Sequence, residues 1–120
     1  HSESNFPFEK KQGWMDIGLP AGTKDETYLD ILSQTLQSIG RSLTPDLVLF
    51  DAGIDVYSED GLGNLELSIE GIRKRDRLVL EYYRGKNIPV ATVIGGGYSK
   101  DTQELAHRHG LIFESAIHYL

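Results

Sequence analysis

Apolar residues along this chain change their spacing several times, and each change marks an element. Residues 1–13 mix polar, charged and aromatic positions without a period, which predicts a loop. Trp14 to Leu19 is short, mostly apolar and closed by Pro20-Ala21-Gly22, so a brief strand and a turn are predicted. Tyr28, Ile31, Leu32, Leu36 and Ile39 then recur at helical spacing, with Thr23 and Glu26 placed as a capping box. A helix is predicted from about Asp25 to Gly40. Thr44-Pro45-Asp46 ends that pattern, and Leu47-Val48-Leu49-Phe50 runs apolar without a break, as strands do when a parallel sheet buries both of their faces.

Residues 52–67 carry three glycines and several acidic residues without helical period, a long loop leaving the carboxyl end of that strand. Ser68 is placed to cap a second helix, in which Ile72, Val79, Tyr82 and Tyr83 form the apolar face. The run Arg73-Lys74-Arg75-Asp76-Arg77 is expected mostly in solvent, and Gly85 and Asn87 stop the helix. Val90-Ala91-Thr92-Val93-Ile94 is a third buried strand, followed at once by Gly95-Gly96-Gly97-Tyr98 and a last helix from Lys100 or Asp101. Strand and helix alternate three times, which predicts a single α/β domain over residues 1–120. Its expected form is a three-layer parallel sheet with helices on both faces.

Composition narrows the chemistry. A chain of 120 residues with 39% hydrophobic and 25% charged positions and only 4 prolines has the makings of one packed core. Its net charge of -6 opposes attraction to nucleic acid or anionic lipid. With no cysteine there is no disulfide framework and no Cys-type zinc finger, so any metal must be held by His and carboxylate. No apolar stretch approaches the roughly 18 residues that span a bilayer, and no signal-peptide pattern opens the chain. A cytoplasmic location is expected.

Ligands of parallel sheets bind beyond the carboxyl ends of the strands, where loops and helix N-termini converge. Two segments reach that edge, Asp51-Ala52-Gly53-Ile54-Asp55 and Gly95-Gly96-Gly97-Tyr98. A carboxylate there can ligate a hard cation, and a phenol on a glycine hinge can donate to an oxygen that gains negative charge during a reaction. The pair suggests metal-assisted hydrolysis of a carbonyl compound. The glycine run can equally be read as a phosphate-holding turn, although Tyr98-Ser99-Lys100 stands where a dinucleotide fingerprint needs a further glycine. His107 and His109, two apart on a helix, diverge and are expected at the surface. His118 suits a helix C-terminus, and Tyr82 and Tyr83 are expected to pack.

Taken together, Asp46 to Asp55, Asp60-Gly61-Leu62-Gly63, Leu67-Ser68 before a helix, and Ile94 to Ser99 resemble the C-terminal third of the histone deacetylase superfamily. His1-Ser2-Glu3-Ser4-Asn5-Phe6-Pro7-Phe8, Leu19-Pro20 and Asp25-Glu26-Thr27-Tyr28-Leu29 look like its class IV and bacterial branch. The resemblance implies an arginase-deacetylase fold and a zinc ion bound by Asp, His and a second Asp at the bottom of a narrow tunnel. Asp55 matches the second Asp, a metal ligand, and Tyr98 matches the catalytic tyrosine that hydrogen-bonds the substrate carbonyl. Gly95, Gly96 and Gly97 would line the substrate pocket, with Phe6 on one tunnel wall. The implied substrate is acetylated lysine or an acetylated small amine.

The family's tandem histidines and its Asp-x-His metal pair have no match in this sequence. A catalytic zinc usually takes three protein ligands, and one is recognisable here. The chain alone is therefore expected to be inactive, a C-terminal portion of a longer enzyme. Incomplete sheet edges and uncovered helix faces lead to an expected homo-oligomer, or to association with the missing N-terminal part. A nucleotide or anion-binding α/β module and a non-catalytic oligomerisation domain are the alternatives.

Overall fold

The computed structural model describes every residue except Phe6, Phe8, Gln12 and Leu120. Two strands, β1 (Val48–Asp51) and β2 (Val90–Val93), pair in parallel, with Val48 opposite Val90 and Asp51 opposite Val93. Three helices alternate with them: α1 (Asp25–Ser42) before β1, α2 (Ile69–Arg84) between the strands, and α3 (Thr102–Ala116) after β2, running into a 3-10 turn at Ile117–Tyr119. The helix over Asp25 to Gly40, the apolar runs near 48 and 90 and the Ser68 cap emerge as the spacing predicts. The Ser68 hydroxyl accepts from Gly71 N at 3.0 Å.

Helix α2 is the centre of the packing. Its Ile72 joins Leu19, Ile54, Val56, Leu65, Leu67 and Leu111 in one cluster. Val79 and Tyr83 meet Leu36 of α1, Ile88 and the strand residues Val48, Phe50 and Val90. Leu80 meets Ala52 and Ile112 of α3. Tyr82 and Tyr83 stack edge to face at 5.2 Å, the packing role expected of them. The opposite face of the strands is open: Leu49 is 78% and Val93 60% exposed, so the described helices cover one side of this sheet.

Two local expectations are corrected. Residues 14–18 form no strand, so among the described residues the sheet has two strands rather than three. Only Leu19 of that stretch is buried, and its backbone pairs with His1 and Glu3 in an isolated bridge to Ser2, while Trp14, Met15 and Ile17 are exposed. The capping box is also absent. The Thr23 hydroxyl donates to Pro20 O at 2.7 Å, and the residue before α1, Lys24, offers no side-chain cap. Asp25 instead accepts from both the backbone N–H and the hydroxyl of Ser68, tying the starts of α1 and α2 together. The helix runs two residues past Gly40, to Ser42, and the Tyr82 hydroxyl occupies the space a β-carbon at Gly40 would need.

Candidate active site

The two segments expected at the carboxyl edge lie against each other. Beyond the strands the pairing continues through Ala52 N to Val93 O at 3.0 Å and Ile54 N to Gly96 O at 2.7 Å. Asp55 therefore emerges beside the glycine turn, and a β-carbon at Gly96 would overlap its carboxylate. One at Gly95 would overlap the carboxylate of Asp51, which accepts from Gly53 N at 3.1 Å. Gly97 has φ +153° and is wedged between Ile54 and His109. A Gly97→Ala variant is expected to lose about 1–3 kcal/mol from backbone strain and overpacking, measurable as a lower urea midpoint with unchanged slope.

The Asp55 carboxylate, with its side chain 28% exposed, faces His1 Nε2 at 3.2 Å. Ser2 N and the Asn5 amide both lie 2.9 Å from His1 Nδ1. The Ser2 N–H makes Nδ1 an acceptor, so Nε2 carries the proton and donates it to Asp55. That hydrogen bond holds the Asp55 carboxyl below the usual carboxylate range, with burial pulling the other way. Asp55 and His1 stand on the wall of a cleft of about 910 Å³ between the N-terminal loop, Leu19 and the α1 residues Tyr28, Ile31 and Leu32. Tyr98 and the three glycines do not line that cleft. Phe6 lies outside the described residues.

Tyr98 is held by its backbone and free at its ring. Its N–H donates to Asp60 Oδ2 at 2.7 Å, and its side chain projects with 53% of the residue exposed. Asp60 is nearly buried and uses its other oxygen to accept from Leu62 N at 2.9 Å and Gly63 N at 2.8 Å. One carboxylate thus closes the Asp60-Gly61-Leu62-Gly63 turn and seats the tyrosine.

The expected solvated run on α2 is corrected at its middle: Arg75 is 4% and Asp76 0% exposed. The guanidinium donates to Asp76 through Nε at 2.9 Å, to Ala52 O through Nη2 at 3.2 Å and to Gly53 O through Nη1. Residues 72, 75, 76, 79, 80 and 83 share one face of the helix, so the spacing that marked Ile72 and Val79 as core also marked this pair. His109 departs from the surface reading too, with Nε2 beside Gly97 and a buried Nδ1 that has no partner among the described residues. His107 is exposed as expected, and His118 lies exposed in the 3-10 turn that follows α3.

Among the described residues no three His, Cys, Asp or Glu side chains converge on a metal position. Asp55 fits one place in a zinc site, and the remainder of a ligand set would have to come from outside this group.

A parallel α/β domain with its polar groups gathered at the carboxyl edge of the strands is the class of protein defined here. Within it, the chain belongs to the histone deacetylase domain family, whose profile matches residues 3–111. An uncharacterized protein of Picosynechococcus is 43% identical over 116 residues, covering 97% of this chain and 39% of the relative. Histone deacetylase 2 of Arabidopsis thaliana is 35% identical over 117 residues, covering 89% and 30%. A histone deacetylase homologue of Aquifex aeolicus superposes with a TM-score of 0.75 at 28% identity, covering 95% of this chain and 32% of that one. A homologue in complex with SAHA gives 0.72 at 26% identity. The fold is thus the deacetylase one, and the chain spans between 30% and 39% of the length of the curated relatives named above.

Proposed function

We propose that this chain forms one side of a zinc-dependent deacetylase site, in which Asp55 is a metal ligand and Tyr98 donates to the carbonyl oxygen of an N-acetyl-lysine or acetylated small-amine substrate. The observation that carries the reading is the hydrogen bond from Ile54 N to Gly96 O, 2.7 Å long, which brings the carboxylate-bearing loop and the tyrosine-bearing turn into contact. Family membership and the SAHA complex of a homologue support it. Zinc, when bound, polarises an amide carbonyl and lowers the pKa of its water. The residues of this chain contribute an ionised oxygen ligand, a glycine turn that admits substrate close to the backbone, and a phenol whose ring is not locked by packing. With one recognisable ligand, the chain alone is inactive in this reading, and the rest of the ligand set belongs to the full-length protein.

The anion-binding alternative has less support. The first amides of α3, at Gln103 and Glu104, are already bonded to the Asp101 carboxylate, and Tyr98 N is bonded to Asp60. A phosphate would have to displace two carboxylates. The open face bearing Leu49 and Val93 favours association, either with the remainder of the domain or with a second copy. A solution mass equal to one copy of this chain would count against self-association.

The test is hydrolysis of an N-acetyl-lysine peptide and of an acetylated polyamine by the zinc-loaded, full-length protein, beside its Tyr98→Phe variant. Loss of one oxyanion donor is expected to lower kcat by about 100- to 1000-fold with little change in KM. Wild-type turnover by Tyr98→Phe would refute the role given to the phenol.

A further inference from the structure

We propose that Arg75, braced by Asp76, is a positioning residue for Asp55: its buried guanidinium holds the carbonyls of Ala52 and Gly53 and so sets where the carboxylate two residues later stands. The inference rests on the reading of Asp55 as a metal ligand.

A buried ion pair is a poor source of stability, since the desolvation of both charges offsets their attraction and well-packed apolar residues serve as well or better. At 4% and 0% exposure, Arg75 and Asp76 bear that cost in full. What a guanidinium offers that an apolar side chain cannot is direction, several N–H donors in a rigid plane. Here those donors are spent on one purpose. Nε and Nη2 meet Asp76, at 2.9 and 2.8 Å, while Nη1 and Nη2 reach Gly53 O and Ala52 O.

Successive carbonyls of an extended strand point to opposite sides, so two neighbouring carbonyls that converge on one guanidinium define a bend at Ala52-Gly53. The N–H groups of the same stretch are held from elsewhere: Ala52 N by Val93 O, Gly53 N by the Asp51 carboxylate and Ile54 N by Gly96 O. The backbone from 52 to 54 is therefore fixed on two sides before it delivers Asp55 beside Gly96. Arg75 acts on the loop backbone rather than on substrate. Groups placed behind metal ligands in this way govern affinity and geometry at the metal.

The experiment measures zinc affinity of the full-length protein by competition with a chromophoric chelator, and the visible spectrum of its Co²⁺ form. Arg75→Lys, which keeps the charge and loses the fork, is expected to weaken zinc binding about 10- to 100-fold and to alter the Co²⁺ bands. Val79→Ala, one turn further along the same buried face, provides a variant destabilised by cavity formation without contact to the loop, and is expected to stay within about twofold of wild type. If Arg75→Lys does not fold, Asp76→Asn replaces it under the same thresholds. Undiminished affinity in Asp55→Ala would overturn the ligand reading and this proposal together. A large loss in Asp55→Ala with wild-type affinity in Arg75→Lys, or with an equal loss in Val79→Ala, would overturn the positioning role alone.

Discussion

An Asp55→Ala variant of the full-length protein is expected to bind zinc more than about 100-fold more weakly, beyond the range typical of residues that stand behind the ligands. The side chain is partly open, and its carboxyl is held below the usual range by the His1 hydrogen bond, so at neutral pH it is ionised and needs no proton removed before it ligates. Alanine keeps the β-carbon and removes only a carboxylate from a side chain that is 28% exposed, so no core cavity opens. Stability should therefore change little while metal affinity collapses, and chelator competition beside thermal unfolding separates the two. His1→Ala, which removes the donor behind the carboxylate, is expected to weaken zinc by a smaller factor, about tenfold. Zinc affinity unaffected by loss of Asp55 would remove the metal centre from this edge of the sheet.

Helical period placed α1 and α2, the apolar runs placed both strands although each buries one face rather than two, and α3 was placed by the glycine turn before it. Residues 14–19 form no strand because a short, mostly apolar stretch becomes one only where a partner exists. In this chain the backbone of Leu19 finds a single bridge, to Ser2. Thr23 does not cap α1 because its hydroxyl closes the turn at Pro20, and the link of Asp25 to Ser68, 43 positions away, is a tertiary contact invisible in local sequence. The candidate site was legible where it depended on strand ends, which bring Asp55 beside the glycine turn. It was not legible where a polar residue turns inward. Arg75 and Asp76 share the helical phase of Ile72 and Val79, but a charge run is weighed by its polarity and assigned to solvent. Arg75 is satisfied by Asp76 and by the carbonyls of Ala52 and Gly53, which a distant loop supplies. His109 reads as a surface residue because its contact is to Gly97, which has no side chain to pair with.

Asp60→Ala is expected to cost about 3–9 kcal/mol, since three backbone N–H groups lose a charged acceptor at once and each such loss is worth about 1–3 kcal/mol. The groups are those of Leu62, Gly63 and Tyr98, bonded at 2.9, 2.8 and 2.7 Å. Asp60→Asn divides the effect. Its remaining carbonyl oxygen can still close the turn at Leu62 and Gly63, while its amide presents N–H to the N–H of Tyr98 in place of an acceptor. A loss of about 1–3 kcal/mol is therefore expected for Asn, with a fall in kcat resembling that of Tyr98→Phe and little change in zinc affinity. Combining Asp60→Asn with Tyr98→Phe should lower kcat no further than the tyrosine change alone, because the carboxylate acts on the reaction only through the phenol it seats. Additive losses in that double variant would mean that Asp60 serves the turn and not the tyrosine, and the seat of Tyr98 would then have to be sought in Gly97 and the His109 side chain packed beside it.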